Sequence, residues 1–460
     1  MTDTVARALD AVPLRVTDPE KIPAERYYDP QFFELERKHL WPRVWQMACR
    51  LEEIPEVGDY VEYSILDKSV IVVRGKGGVR AFHNACSHRG VRLANGPGNC
   101  AKKGFVCPFH GWRFNAEGEC TFVFGKHIFS EAMLNAAETD LVPVRCEEWA
   151  GCAFINFDNE APPLLDCLGP IVTRLNARHV DRLKMDWWFG TLLPTNWKLA
   201  MEAFQEGYHV MRTHPQLEAL SPPGFSRLGP DADAPPPAET ITPRDLVNLN
   251  IDFLKSVGDG MAGMVHHTEV AVLEKLRDMD VPDDPQAAIM AFYARAQEEV
   301  TKDGLARGAP MFDIAKVNAE NEFHDVEFMF PHFFLLPSLA AMSSYRIRPL
   351  TAETCFFEIW SLVLRPEGEV YETPSEPTIL PYDSRDFPEI PQQDYSNLPI
   401  QQLGLHNFKH MRLSHEWEGL ISNYHRLVDG FLAGLDRETL RKAENTVNSG
   451  YNSPIRDIGF

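Results

Sequence analysis

The chain has 460 residues, of which 44% are hydrophobic and 24% charged, so it is long enough to form two or three domains with a large buried core. Its formal net charge of −21 disfavours nucleic acid and anionic membranes as partners, because both attract basic proteins. No apolar run approaches the ~20 residues that span a bilayer, the N-terminus lacks the apolar core of a signal peptide, and nine scattered cysteines suit a reducing compartment. We therefore expect a cytoplasmic protein.

The first part of the chain is predicted to be an antiparallel β domain. We assign residues 1–40 to an N-terminal segment that packs on the second domain, and residues 41–160 to the β domain itself. Short runs of β-branched and aromatic residues, separated by glycine-rich turns, predict strands at 60–66, 69–74, 79–82 and 151–157. The loops between these strands carry the first candidate site.

Two of these loops each contain one cysteine and one histidine. Cys86 and His88 are separated by one residue, and Cys107 and His110 follow after eighteen intervening residues. Two thiolates and two imidazoles in this alternating order are typical of a [2Fe–2S] cluster in which two Cys hold one iron and two His hold the other. Because neutral imidazoles replace anionic thiolates, such a cluster has a raised reduction potential and can pass electrons to a strong oxidant.

A structural zinc site is the alternative, since two cysteines and two histidines also bind zinc. Zinc sites usually group cysteine with cysteine and histidine with histidine, whereas each loop here supplies one of each, which favours the cluster. The remaining cysteines are interpreted as buried apolar residues or free thiols: Cys49, Cys100, Cys120, Cys146, Cys152, Cys167 and Cys355.

A second candidate site begins about a hundred residues later. Helix-compatible residues predict a helix on which Glu202, Glu206 and His209 share one face. His209 and His214 are five residues apart, about 140° on an ideal helix, which is a poor arrangement for binding one metal. Because the residue before a proline avoids helical backbone, Pro215 should end the helix and bring His214 back beside His209.

Two histidines with an open side form part of the 2-His-1-carboxylate triad that holds non-haem Fe(II) for oxygen chemistry. The third ligand should be a carboxylate that is remote in sequence. We predict Asp394, with Asp383 and Asp386 as competitors. Two histidines near a helix end are more often a hydrogen-bonded polar pair, but the cluster motif in the same chain favours a metal site.

The second domain, which we place at 161–460, is predicted to mix helices and strands. Residues 231–237 are rich in proline and predict an exposed loop, and Asp284 followed by Pro285 predicts a helix N-terminus. A further helix at about 413–432 should pack on a sheet whose strands lie around 328–336, 345–348 and 355–364. The expected fold class is α+β, with the β domain followed by a mixed domain whose antiparallel sheet is flanked by helices.

These motifs resemble the α subunits of Rieske non-haem iron oxygenases, a family that contains the aromatic-ring-hydroxylating dioxygenases and related mono-oxygenases and demethylases. The resemblance covers nearly the whole chain, and Asn196-Trp197-Lys198 precedes the acid and the two histidines in the family order. Glu206 stands where ring dioxygenases usually have Asp, and resembles the branch that acts on alkylamine-type substrates. Ala203 stands where many members have Asn. Asp394 with Asn397 matches a looser family pattern.

The resemblance implies a Rieske [2Fe–2S] cluster and a mononuclear Fe(II), held respectively by Cys86, His88, Cys107 and His110 and by His209, His214 and Asp394. It implies that O2 is activated at the Fe(II) to mono- or dioxygenate an aromatic or other hydrophobic substrate, or alternatively to demethylate it oxidatively at N or O. Electrons would come from NADH or NADPH through a separate reductase, with or without a ferredoxin, because the chain has no G-x-G-x-x-G motif.

The resemblance also implies a head-to-tail homotrimer, to which a β subunit could be added. In this trimer, a bridge would run from His110 of one chain through Glu206 to His209 of the next. A carboxylate between two metal-bound imidazoles accepts their N–H groups and fixes their orientation.

An apolar pocket beside the open face of the iron should hold the organic substrate, which is positioned rather than ligated. Hydrophobicity alone selects the candidates, and ordinary core packing is the alternative for each of them: Ala203, Phe204, Val210, Leu246, Phe253, Met261 and Met264. Two further protein classes remain open, namely an electron carrier with only the cluster and a redox-inactive zinc protein. The length of the chain and the second site argue against the carrier.

Overall fold

The structure is a computed structural model, and it describes residues 3–220, 241–261, 263–448, 450–451 and 453–460. The predicted loop at 231–237 lies outside these residues. The described part has the expected α+β class, with antiparallel sheets and many helices. Its α-helices are Asp3–Asp10, Pro30–Leu35, Ala136–Thr139, Leu164–Leu168, Ile171–Asn176, Trp197–Glu202, Val210–Thr213, Pro215–Leu220, Pro243–Gly260, His267–Glu274, Pro285–Ala306, Ile314–Glu320, Glu389–Leu405, Gly419–Leu432 and Arg437–Val447. None of the described helices is both long enough and apolar enough to cross a bilayer.

The larger sheet has seven antiparallel strands and contains all four strands predicted for the first domain. Their order across the sheet is Gln46–Arg50, Cys152–Asn156, Pro143–Trp149, Gly78–His83, Lys68–Gly75, Asp59–Ile65 and Gly98–Asn99. A separate three-stranded sheet follows, with Phe105–Val106, Arg113–Phe114 and Cys120–Phe122. The turn at 86–90 follows strand Gly78–His83 of the seven-stranded sheet, and the turn at 107–111 connects Phe105–Val106 to Arg113–Phe114, so the sheets hold both turns in place.

The second large sheet has six strands, in the order Glu327–Met329, Phe333–Pro337, Met342–Thr351, Thr354–Val363, Lys184–Leu193 and Thr378–Ile379. Only the edge strand Thr378–Ile379 pairs in parallel. The predicted strand at 328–336 is in fact two strands, joined by a turn at the cis peptide bond between Phe330 and Pro331. Strand Lys184–Leu193 was not predicted.

The N-terminal segment contacts the later part of the chain at two places. Lys21–Pro23 pairs with His410–Arg412 in a two-stranded antiparallel sheet. Arg26 donates to the carboxylate of Asp429, on helix Gly419–Leu432, at 2.5 Å. These contacts bring residues 20–40 behind helix Trp197–Glu202, where a fully buried ion pair forms.

This ion pair joins Lys198 and Glu36. Lys198 Nζ lies 2.6 Å from Glu36 Oε1, and both side chains have no exposed surface. Glu36 also accepts a hydrogen bond from the indole N–H of Trp197 at 3.0 Å. Removing one partner of such a pair leaves an uncompensated buried charge, which costs far more than the pair itself contributes.

Lys198→Met should therefore lower the free energy of unfolding by about 3–5 kcal/mol, measured by urea-induced unfolding. Adding Glu36→Gln to the variant should restore most of this loss, because no unpaired charge then remains. Lys302→Met is the matched control: its pair with Glu298 has the same 2.6 Å separation but lies on the surface, so the midpoint should barely move. Equal effects of the two lysine variants would contradict the prediction.

Candidate cluster site, iron site and substrate cavity

The four predicted cluster ligands lie on two matching turns. The N–H of Gly90 donates to the carbonyl of Cys86 at 2.8 Å, and the N–H of Gly111 donates to the carbonyl of Cys107 at 3.0 Å. Both glycines have positive φ angles, 75° and 70°, which glycine adopts without strain. The two turns therefore share one backbone geometry, both cysteines are buried, and their thiols hydrogen-bond across the space between the turns.

The donor atoms in this space fit a [2Fe–2S] cluster. The rings of His88 and His110 lie 4.6 Å apart between centroids, and Nδ1 of each ring is buried without a hydrogen-bond partner in the described residues. Burial raises the pKa of the Cys86 thiol to about 11, so a metal has to displace its proton. Because buried polar atoms are seldom left unpaired, two unpaired imidazole nitrogens beside two thiols point to metal ligation.

Three potential ligands, two imidazoles and one carboxylate, converge at the second site. Nε2 of His209 and Nε2 of His214 lie 3.8 and 3.5 Å from Oδ1 of Asp394, and all three ligand atoms lie within 4.8 Å of one another. Oδ2 of Asp394 is buried with no hydrogen-bond partner in the described chain. Two imidazoles and one carboxylate on one side of a point in space fit the 2-His-1-carboxylate arrangement for Fe(II).

The competing carboxylates do not reach this site. Asp383 and Asp386 are exposed and precede helix Glu389–Leu405, and Asp386 accepts from the hydroxyl of Ser384 at 3.2 Å. Asp394 lies inside the helix, and its side chain is buried.

The continuous helix predicted through Glu202, Glu206 and His209 is wrong. The helix ends at Glu202, and an irregular segment separates it from helix Val210–Thr213. Gly207 lies within this segment and disfavours helical backbone, so Glu202 and Glu206 do not share a helix face. His214 leaves the helical region, with φ −117° and ψ 76°, as the following proline predicts.

Hydrogen bonds orient both imidazoles. Glu206 Oε1 lies 2.7 Å from His209 Nδ1, and Glu206 Oε2 accepts from the backbone N–H of His209 at 3.1 Å. Gln393 Oε1 lies 2.6 Å from His214 Nδ1, a partner that the sequence analysis missed. Each acceptor places the ring proton on Nδ1 and leaves Nε2 free for a metal.

Burial and these partners set the protonation of the three residues. Burial raises the pKa of Asp394 to about 7 and lowers the pKa of His214 to about 4. Burial works against the charged form of His209, but the hydrogen bond with Glu206 and the negative charges of Glu206 and Asp394 together outweigh it and raise the pKa of His209. A metal bound here must therefore displace protons, as is general for metal sites.

A cavity of about 570 Å³ opens on one side of His209, His214 and Asp394. Six of the seven predicted pocket residues line it, namely Ala203, Phe204, Val210, Phe253, Met261 and Met264. The prediction is wrong for Leu246, which does not line the cavity. Its side chain is buried, and Asn250, one helical turn later, faces the cavity instead.

The cavity also has polar wall residues that sequence reasoning missed, because nothing in their local sequence marks them: Asn250, Tyr293, Gln297, Asn318, Asp325 and Ser338. Tyr293 donates to the side-chain oxygen of Asn250 at 3.1 Å. Asp325 is the one carboxylate of the lining away from the iron site, within the described residues; it is solvent-exposed, and partial desolvation by the surrounding protein raises its pKa. This wall can recognise a polar or cationic group on an otherwise apolar ligand.

A second cavity, of about 660 Å³, lies on the other side of the same residues. Glu206, His209 and Asp394 line both cavities. Glu202 and Glu418 face only the second one, whose described lining has four carboxyl groups and one arginine, Arg412, and is therefore acidic.

Comparison with known proteins identifies the family. The family description "Rieske [2Fe-2S] domain" matches residues 44–125, and "Ring hydroxylating alpha subunit (catalytic domain)" matches residues 173–434. The chain belongs to the ring-hydroxylating oxygenase α subunits.

Its curated relatives include mono- and dioxygenase components. The chain is 35% identical over 197 residues to the carnitine monooxygenase oxygenase subunit of Escherichia coli (strain K12), covering 42% of this chain and 52% of that protein. It is 32% identical over 282 residues to the large oxygenase component of the naphthalene 1,2-dioxygenase system of Pseudomonas putida, covering 60% and 58%. The chain thus spans about half the length of the curated relatives it matches.

Solved structures share the fold over most of the chain. Naphthalene 1,2-dioxygenase from Rhodococcus sp., bound to indole, has a TM-score of 0.59 and 18% identity, covering 94% of this chain and 97% of that chain. A quaternary ammonium Rieske monooxygenase has a TM-score of 0.57 and 20% identity, covering 90% and 96%. At sequence identities this low, these comparisons show that the chain shares the fold of the two structures.

Asp394→Ala should remove one iron per chain while leaving the reduced electron paramagnetic resonance signal of the cluster unchanged, because the two ligand sets share no residue. Iron content and the spectrum are measured on the same sample. Asp386→Ala is the control and should retain all its iron. Full iron content in Asp394→Ala, or loss in Asp386→Ala, would show that the ligand is misassigned.

Proposed function

We propose that the chain is a terminal oxygenase component that activates O2 at a mononuclear Fe(II), using electrons from its Rieske cluster, to hydroxylate an aromatic or other hydrophobic organic substrate. The observation that carries the proposal is the position of His209, His214 and Asp394 in the wall of a largely apolar 570 Å³ cavity. Volumes of this order hold small organic ligands. An electron carrier has no use for such a cavity.

The residues around the iron site hold the metal ligands and orient the substrate. The bound iron would supply the oxygen-activating chemistry. Glu206 and Gln393 keep the two imidazoles turned toward Asp394. Phe204 and Met261 form part of the apolar wall that excludes water and positions the substrate beside this site.

Electrons would reach the chain from NADH or NADPH through a separate reductase, with or without a ferredoxin. Within the assembly, we propose that they pass between subunits of a head-to-tail trimer. Glu206 supports this, because it is buried and lines both the substrate cavity and the acidic second cavity. Beside the cluster, Phe109 is 58% exposed next to His110, and an exposed aromatic side chain at that place suits docking onto a neighbouring chain.

Oxidative N-demethylation is the second candidate. Asp325 places a carboxyl group in the cavity wall, and a substrate with an amine or ammonium group could pair with it. The carnitine monooxygenase subunit and a glycine betaine monooxygenase subunit of Chromohalobacter salexigens, 32% identical over 228 residues, are relatives whose names fit such substrates.

The test is a substrate screen with the purified chain, a reductase and NADH, in which NADH oxidation, O2 uptake and formaldehyde are followed together. Aromatic hydrocarbons and tertiary or quaternary amines form the two arms, and Asp394→Ala is the inactive control. Diol or alcohol formation without formaldehyde supports hydroxylation, and formaldehyde release supports demethylation. If neither arm yields an oxygenated product from protein with both metal centres filled, the proposed function is wrong.

Glu206→Gln should leave both metals bound and slow electron delivery about 10- to 100-fold, the usual effect of losing a partner of a metal-bound histidine. Gln keeps the volume but removes the charge and one acceptor. Oxidation of the pre-reduced cluster in a single turnover measures the effect. Glu218→Gln, on the neighbouring helix Pro215–Leu220, is the control and should behave like the natural protein. An unchanged cluster oxidation rate in Glu206→Gln would exclude the bridge.

A further inference from the structure

A group of buried charges lies behind the second cavity, and the proposed function does not use it. Arg26 and Lys198 are its cations, and Glu36, Glu202 and Asp429 are its carboxylates. Arg26 pairs with Asp429 at 2.5 Å and Lys198 pairs with Glu36 at 2.6 Å. Glu202 is therefore the one carboxylate of the group without a cation of its own.

The direct partners of Glu202 are neutral. The hydroxyl oxygen of Tyr27 lies 2.8 Å from Oε1 and 3.0 Å from Oε2 of Glu202, and His425 Nε2 lies 2.7 Å from Glu202 Oε1. Arg26 Nε donates to His425 Nδ1 at 3.1 Å, so the ring proton of His425 is on Nε2, which lies 2.7 Å from Glu202 and 2.9 Å from the hydroxyl oxygen of Tyr27. Burial, together with the charges of Arg26 and Lys198, lowers the pKa of His425 well below its usual value.

Charge balance then assigns a proton to Glu202. Two cations and three carboxylates leave one negative charge in excess, and an uncompensated charge in a protein interior is avoided by protonation. Burial raises the pKa of Glu202 to about 8, against the lowering effects of Tyr27, Lys198 and Arg26, while Glu418 in the second cavity adds to the rise. Burial and charge balance therefore favour the carboxylic-acid form of Glu202 at neutral pH, in which the acid O–H on Oε2 can donate to the hydroxyl oxygen of Tyr27, 3.0 Å away.

We propose that Glu202 is a proton store for the iron site and delivers its proton through the second cavity. Glu202 lines this cavity together with Glu206, His209 and Asp394, and a volume of about 660 Å³ can hold a chain of waters. If the neighbouring cluster domain of the proposed trimer covers this side, as the bridge through Glu206 requires, a proton source in the wall serves where bulk water is restricted.

The inference rests on the proposed function, because hydroxylation and demethylation by O2 both consume protons together with the electrons from NADH. In the step itself the O–H bond of Glu202 breaks, its electron pair stays on the carboxylate, and the proton passes to water in the cavity. Tyr27 and His425 hold the resulting carboxylate by donating to it. Solvent protons restore the acid between turnovers.

The test compares Glu202→Gln and Tyr27→Phe by the pH dependence of kcat. The natural protein should lose activity above about pH 8, because the store is full only below the pKa of Glu202. Glu202→Gln keeps the shape of the side chain but cannot release a proton, so kcat should fall by about 10²-fold at neutral pH. The decrease of kcat above about pH 8, called the alkaline limb, should then be absent. Tyr27→Phe removes a donor to the carboxylate, so the pKa rises and the limb should move to higher pH.

Tyr424→Phe is the matched control. Like the hydroxyl of Tyr27, its hydroxyl is buried and interacts electrostatically with Glu202, but it makes no hydrogen bond with the described residues. The pH limb should therefore stay where it is. An unchanged limb in Glu202→Gln, or equal shifts in Tyr27→Phe and Tyr424→Phe, would overturn the proposal.

Infrared difference spectra of the full-length protein provide a readout that does not depend on turnover. When the spectrum of Glu202→Gln is subtracted from that of the natural protein, the carbonyl band of a carboxylic acid should remain at pH 7. This band should disappear on titration through about pH 8. A carboxylate band at pH 7 would overturn the proposal even in an active enzyme. If no substrate is oxidised but the acid band is present, the proposed function fails while the protonated state of Glu202 stands.

Discussion

The hydrogen bonds at Nδ1 of His209 and His214 determine the geometry on which the rest of the active site depends. Glu206 and Gln393 each accept one of these bonds, so both rings present Nε2 toward Asp394. Gln393 and Asp394 are neighbours on one helix, about 100° apart around its axis, so a single rigid element supplies both the third ligand and the residue that orients the second. These two acceptors hold the imidazoles in the orientation that a bound metal requires.

Glu206 also divides the space around the site. The substrate cavity on one side is largely apolar, while the second cavity is lined by Glu202 and Glu418. Organic substrate is favoured on the first side by burial of apolar surface, and protons or positive charge are favoured on the second. Electron and proton entry can thus be kept apart from substrate entry, although both sides meet at His209 and Asp394.

The parts of the molecule that follow from short sequence patterns were predicted well, and the parts that depend on distant contacts were not. The cysteine-histidine turns need only glycines and local hydrogen bonds, so their motif contains most of the information. The segment between Glu202 and His209 is helical by composition, yet packing and Gly207 break it. Gln393 and Asp325 act through neighbours far away in sequence, and no local signal distinguishes them from other polar residues. Hydrophobicity selected Leu246 because a pattern of apolar residues gives the face of a helix only approximately.

The buried charges behind the site are not explained by stability. Replacing a buried ion pair with apolar residues of similar size is often neutral or stabilising, so an apolar wall of Leu and Met would serve the fold as well. The polar wall instead fixes the position of Glu202, the last residue of helix Trp197–Glu202. The hydrogen bonds from Arg26 to His425 and between Tyr27 and Glu202 are directional. They connect the N-terminal segment and helix Gly419–Leu432 to this residue. Glu202 is the one buried carboxylate of this wall without its own cation, because Glu36 and Asp429 are paired. The wall therefore holds a removable proton at the edge of the second cavity. An ion-pair network built for rigidity alone would have had its charges matched.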